Sequence, residues 1–339
     1  MGILDRLWRP RPKAIPVTPQ IHALIERLLV LSPALKLAEG FQARVTPVLV
    51  CSLDYVSGLV NELPHARVAN AAAWLDDPYI HAFFAAPDEV AHILSRSPEM
   101  HVWFDSHPLA RETYAVLSMA MSERRVFGVE QIGDVVHADV ARTTLSFDDH
   151  QVRLCGESED DLREQIVQRV VEQIALEGLA QIGADESRRD ALLQDRALLK
   201  TRLQLLTRQG AGTHKMLGER ASANAAQRIE LETEIEANAR ALDALGLQTD
   251  ALARDLDVIC DVLGHPARHT NVEMKRIRLN AMNVVIEANA SHDSVEVVFP
   301  LARLPASPLG ERAFSLIRFA RTDLVPLPTV LDEDSRFMI

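Results

Sequence analysis

"LETEIEANARALDALGLQTDALARDLDVICDVL", residues 231–263, decides how the rest of the chain reads. Leu231, Ile235, Asn238, Leu242, Leu245, Thr249, Leu252, Leu256, Ile259 and Leu263 follow one another in alternating steps of four and three. A 3.5-residue period held that long keeps a narrow apolar stripe in line along a helix, and such a stripe is buried against another helix. The positions between are mostly Glu, Asp, Arg, Ala and Gln, which suit solvent.

Upstream, Leu192, Arg196, Leu199, Leu203 and Leu206 repeat the same steps. Between the two stripes stands "LQLLTRQGAGTHKMLGERA", residues 203–221. Gly210 and Gly212 permit the positive φ of a tight reversal. A short link makes neighbouring helices antiparallel. The expectation is an antiparallel coiled-coil hairpin over 158–264, one helix from Ser158 to Gln209 and the other from about Met216 to Leu263. At full projection it spans ~70 Å, and Gly178, Gly183 and Gly246 are the places where it can kink. The first part, with Leu162, Ile166, Val170 and Ile174, reads as an amphipathic helix packed on a domain. Asn238 interrupts the stripe. It either fixes register or lies near the exposed tip, where a polar residue costs little, and its place in the chain favours the second reading.

Two β-branched blocks flank these helices. "HADVARTTLSFDDHQVRLCG", 137–156, reads as a hairpin turning at "FDDHQ". "MKRIRLNAMNVVIEANASHDSVEVVFPLARL", 274–304, reads as a second, interrupted by "ANASHDS". The fold class expected is mainly α with a small antiparallel β module, α+β, the coiled-coil hairpin being inserted between two β-hairpins. "SPLGERAFSLIRFARTD", 307–323, is expected to add a helix, and residues 323–339 an extended tail.

Residues 17–130 read as an N-terminal helical domain, because helix starts recur: capping residue and proline at Thr18-Pro19, Ser32-Pro33 and Asp77-Pro78, and Pro87 with the early acids Asp88 and Glu89. "SHPLARETYAVLSMAMSERRVFG", 106–128, is taken as its last helix, while "RVTPVLVCSLDYVSGLVNEL", 44–63, fits helix or strand. The β module then comprises 131–157 and 266–322. Residues 1–16 form a basic amphipathic stub, with Ile3, Leu4, Leu7 and Trp8 on one face, a candidate for peripheral contact with an anionic membrane.

The net charge of −12 argues against nucleic acid as a general partner, since backbone affinity comes from Lys and Arg. Three scattered cysteines without CxxC argue against a disulfide framework and a thiolate zinc site. With no signal-like leader and no run of about 20 apolar residues, a cytoplasmic location is expected.

No catalytic motif stands in the chain. "GAGTHK", 210–215, is not a phosphate loop, because Lys215 is followed by Met216 and a helix rather than a strand precedes it. Asp77 and His81, and His101 and Asp105, are spaced four apart, so each pair can share a helix face and ligate one metal. The aspartates also stand where helix caps stand. Trp74, Tyr79, Phe83, Phe84, Trp103 and Phe104 concentrate the aromatic residues as a core. No cofactor is expected. Arg208, His214, Lys215 and Arg220 make the hairpin tip basic on an acidic chain. The function expected is a non-catalytic interaction or scaffold protein presenting that tip to a protein partner or to itself in an oligomer. The alternatives are a metal-dependent enzyme centred on the Asp/His set and a peripheral membrane protein held by the N-terminal stub.

Overall fold

In the computed structural model, residues 18–132, 135–212, 218–246, 250–286, 294–303 and 310–326 are described. The chain divides into two units, one made of Met1–Val50 and Ala175–His265 and the other of Cys51–Ile174 and Pro266–Ile339. The fold is a mixture of helix with one curved antiparallel sheet, a half-barrel of α+β class.

The first unit is helical. Thr18 caps α1 (Pro19–Leu31), its Oγ1 accepting from the Ile21 N–H at 3.4 Å. A 3-10 turn, Pro33–Leu37, leads into α2 (Phe41–Asn61), which continues into the second unit. Along α2, Val45, Leu49, Leu53, Val56 and Val60 are among the buried residues, a helical spacing that resolves the helix-or-strand choice. By length and composition this helix is apolar enough to cross a membrane, a property a core helix shares.

After α2 the first unit resumes with the later part of α7 (Glu159–Gly212), then α8 (Gly218–Ala244) and α9 (Ala251–Gly264). The glycines expected to make the reversal do not make it: α7 runs through Gly210 to Gly212, and residues 213–217 lie outside those described. The second stripe is also not carried by one helix. Gly246 adopts φ 76°, a conformation glycine reaches without steric cost, and it closes α8 well before Leu263. Arg189 of α7 donates to the Leu245 and Gly246 carbonyls at 2.7 and 2.9 Å, satisfying the exposed end of α8 with a cation where the helix dipole favours one. At Gly178 a side chain would meet Ile259 Cδ1 at 2.9 Å, so glycine there permits α7 and α9 to approach closely rather than kinking α7.

The second unit holds α3 (Ala71–Asp76), α4 (Pro78–Phe83), α5 (Pro87–Ser95) and α6 (Pro98–Ser106) beside the sheet. Helix ends at Ser106, where a helical domain reaching 130 was expected. Residues 112–132 form β2 (Glu112–Ile132), and the second half of the hairpin is β3 (Val135–Gly156). The sheet order is β3-β2-β6-β5-β4, with β4 Asn271–Leu279, β5 Val295–Arg303 and β6 Arg312–Ala320; the short β1 (Arg67–Val68) pairs parallel to β6. The expected C-terminal helix is therefore a strand, and a central one. Over Thr113–Met119 of β2 and along β6 the residues are rich in Ala, Leu and Met or Phe and lack alternation because both faces are covered there. Ala115, Leu117, Met119, Ala313, Ile317 and Phe319 enter the main core, while Val116 and Leu316 join a separate cluster with Leu162. Pairing with neighbours overrides helix propensity there. The 274–304 hairpin stands, with β4 and β5 paired from Asn271↔Arg303 to Leu279↔Val295.

The first hairpin turns elsewhere than expected. Ile132 pairs with Val135, so Gly133 and Asp134, which lie outside the described residues, are the link. Asp148-Asp149 sits instead at an irregularity within β3, between the pairs Ser118↔Gln151 and Ala120↔Asp148, with Asp149 at φ 48°. The bulge delivers His150 to the core edge. Its Nε2 donates to the Phe83 carbonyl at 2.7 Å and its ring stacks on Phe84 at 4.9 Å.

Burial lowers the pKa of that imidazole, against the smaller opposing effects of the Phe83 carbonyl and nearby acids. The folded protein holds His150 neutral, whereas the unfolded chain protonates it near pH ~6.5. The stability this supplies is present above that pH and is lost as pH falls through it toward the lower folded value. His150→Gln retains a donor for Phe83 and removes the titration. Thermal midpoints measured from about pH 7 to about pH 5 are expected to fall more steeply for the natural chain than for the variant, and equal slopes would refute this.

Candidate functional site

Two places draw together residues that can meet another molecule: the α7–α8 pair of the first unit and a cavity of the second.

Along α7, the half-buried residues beyond Arg189 are Leu192, Arg196, Leu199, Leu203 and Leu206, with exposed residues between them. Along α8 and α9, Leu231, Asn238, Leu242, Leu256 and Ile259 are buried and Ile235, Leu245 and Leu252 are half-buried; Thr249 lies outside the described residues. Asn238 is 8% exposed, so the solvent-cheap reading of this residue is wrong. Its side-chain amide donates to the Leu192 carbonyl at 2.9 Å, which ties one register of α8 to α7. Its Oδ1 and the Arg196 Nε are buried without a hydrogen-bond partner among the described residues. Leu198, Leu205 and Ile229 are more than half exposed, and Leu193 nearly so. Of the basic tip, Arg208 is exposed in α7, Arg220 lies in α8, and His214 and Lys215 lie outside the described residues.

The Asp/His set is not brought together. Asp77 caps α4, accepting from the Tyr79 N–H at 2.9 Å, and its other oxygen accepts from Arg67 at 2.8 Å. His81 lies with one ring nitrogen 2.9 Å from the Ala281 carbonyl and the other 3.3 Å from that of Trp74. His101 meets the Ser95 carbonyl at 2.7 Å, and Asp105 is exposed on α6. Backbone carbonyls and a cap have taken Asp77, His81 and His101. Among the described residues no group of three or more His, Cys, Asp and Glu is placed to hold a metal ion. Burial pushes the Cys155 thiol up to about 12 and raises that of Cys260, so neither supplies a thiolate near neutral pH. Ile3, Leu4, Leu7 and Trp8 lie outside the described residues.

The cavity was not legible in the sequence. β5 and β6 pair only at Leu301↔Ala313 and Ala302↔Arg312. Beyond those pairs the strands part, and the Val298 N–H donates to the Tyr79 hydroxyl at 3.3 Å. Pro300 removes a ladder donor at the same place, and a proline inside an apolar strand was the available signal. The space of ≈ 570 Å³ lies among β2, β3, β5 and β6, the last turns of α2 and the first of α7. Leu59, Leu154, Ile166, Val170, Val298 and Phe314 form much of its wall. Arg163 braces the helices there: it pairs with Glu159 at 2.7 Å and donates to the carbonyls of Val60, Leu63 and Pro64.

The ionisable residues in the wall are Arg67, Arg153, Arg169, Arg303, Arg312 and Glu99, five cations to one anion on a chain of net charge −12. Arg67 lies over the Tyr79 ring at 3.4 Å and pairs with Asp77; Arg169 pairs with Glu172 at 3.2 Å; Arg312 pairs with Asp149 at 2.7 Å. Arg153 donates to the Gln151 side chain. No protein-family model, no curated protein and no solved structure matches this chain.

Proposed function

We propose that the chain is a non-catalytic interaction protein of the cytoplasm, in which α7 and α8 form an antiparallel coiled-coil arm that meets a protein partner or a second copy of the chain near its outer end. The observation that carries this reading is the division of leucines along α7. Those at 192, 199, 203 and 206 are half-buried, whereas Leu198 and Leu205 are 59% and 52% exposed. Ile229 of α8 is 64% exposed as well. Apolar side chains left on a helix pair beyond those that join it are available to a third helix or another surface. The Asn238–Leu192 and Arg189–Leu245 contacts run in opposite chain directions, which supports antiparallel packing in one register. Arg208 adds positive charge toward the tip. The use of Asp77, His81 and His101 in caps and carbonyl contacts supports the non-catalytic part of the reading.

Two baits test it in lysate of the native cell: the full chain, and the chain with residues 205–218 replaced by a short Gly-Ser turn. A third variant, Leu198→Glu with Leu205→Glu, keeps the tip and charges the exposed face. Sedimentation of each purified protein separates self-association from capture of a partner. Loss of the partner, or of the oligomer, in both altered chains is the expected result. Identical partner sets and identical sedimentation for all three would remove the proposal.

A further inference from the structure

We propose that the cavity between the sheet and the ends of α2 and α7 binds a long-chain fatty acid, its alkyl chain against the aliphatic wall and its carboxylate held by arginine.

Three observations lead there, independently of the arm. The first is the space itself, a cleft of ≈ 570 Å³ partly open to solvent and walled by Leu59, Ile166, Val170, Leu154 and Val298. That volume falls in the range of ~300–1,000 Å³ over which clefts hold small molecules. The second is why it persists. β5 and β6 pair at two positions and then part, and Arg163 pins the start of α7 to the Val60 carbonyl of α2 and to those of Leu63 and Pro64 just after it, so the walls are held from both sides. The third is charge. The wall carries five guanidiniums and one carboxylate, the reverse of the chain's overall balance.

These features select the ligand's chemistry. Val, Leu and Ile are the largest group of residues in the wall, and their uneven surface suits a flexible alkyl chain. Arg67, Arg169 and Arg312 already meet carboxylates of the chain. Arg153 and Arg303 form no ion pair among the described residues, and Arg303 is exposed at the end of β5. A planar guanidinium fork receives a carboxylate through two parallel hydrogen bonds, which an alcohol cannot accept in the same way. Arg153 on β3 and Arg303 at the end of β5 stand at different places in the wall, and each is a candidate to receive the head group.

The test is equilibrium dialysis of the full-length protein against radiolabelled hexadecanoate, with hexadecan-1-ol as the head-group control. Saturable binding of hexadecanoate at one site is expected, with the alcohol about tenfold weaker. Leu59→Trp and Val170→Trp fill the space from two different helices at half-buried positions. Each is expected to weaken binding at least about tenfold while circular dichroism and the thermal midpoint stay near those of the natural chain. Two variants on separate elements keep the test intact if one fails to fold. Arg153→Gln with Arg303→Gln is expected to weaken hexadecanoate about tenfold and leave hexadecan-1-ol unchanged. No binding of hexadecanoate, equal affinity for acid and alcohol, or unchanged binding in both folded tryptophan variants would overturn the proposal. So would binding that appears only in a chain lacking residues 327–339, which would give the space to that segment.

Discussion

Arg312→Ala is expected to lower folding stability by about 1–3 kcal/mol, the cost of leaving buried hydrogen-bonding groups without their partner. The guanidinium side chain is 7% exposed. Its Nε donates to Ser118 Oγ at 2.6 Å and Nη2 to the Ser118 carbonyl at 3.3 Å, while Nη1 reaches Asp149 Oδ2 at 2.7 Å and Nη2 the Asp149 carbonyl. One side chain of β6 thus ties β2 to the bulge of β3. Its loss leaves the buried Ser118 hydroxyl without this partner. Asp149 is 53% exposed and regains water, which keeps the effect below that of breaking a fully buried ion pair. Arg312→Lys is expected to recover little, because one ammonium cannot serve Ser118 and Asp149 together. Asp149→Ala strands the guanidinium and also places a Cβ-bearing residue without a local hydrogen-bonding side chain at φ 48°. Urea denaturation checks all three, and an Arg312→Ala change within about 0.5 kcal/mol of the natural chain would show that water replaces these bonds at little cost. The Asp149 carboxyl is held below its usual range by hydrogen bonds from Gln151 first and Arg312 second. The stability it contributes is therefore present above the usual carboxylate range and is lost as pH falls through the depressed value.

Phe83→Ala is expected to cost about 3–5 kcal/mol. Phe83 is 1% exposed at the end of α4 and meets Phe147 edge-on at 4.9 Å and Phe299 at 6.1 Å. Phe147 and Phe299 in turn pack edge-to-face at 5.3 Å. The triad joins α4 to β3 and β5, where the transfer term, the residual cavity and the ring contacts all act in one direction. The same urea experiment reads it, and a loss under about 1 kcal/mol would mean that the helices beside the sheet contribute little to its stability. Because Phe83 also lines the cavity, hexadecanoate binding by this variant is read only after its fold has been checked.

Several elements were legible because their signals are local. Thr18-Pro19 starts α1, and Asp77-Pro78 starts α4 with Asp77 in the capping role that competes with its role as a ligand. The stripe from Leu192 to Leu206 reappears residue for residue as the half-buried side of α7. The residue types and their spacing carry that pattern along one helix, whatever covers it. The break at Gly246 is one of the three kink sites that the glycines marked, although the heptad count steps across it from Leu245 to Thr249.

What the chain alone determined is the helical character of most of 158–264, the apolar side of α7, and the existence of a β module interrupted by these helices. Only the tertiary structure decided that β2 and β6 are strands, because the sheet's two covered faces erase the alternation that marks a strand with one face in water. Only it placed the turn of the first hairpin beyond Ile132 and made Asp148-Asp149 a bulge. The Arg312–Asp149 pair spans 163 positions, and the cavity draws its wall from α2 to β6. Proximities of that kind arise when strands from both ends of the chain pair in one sheet, and no local spacing records them.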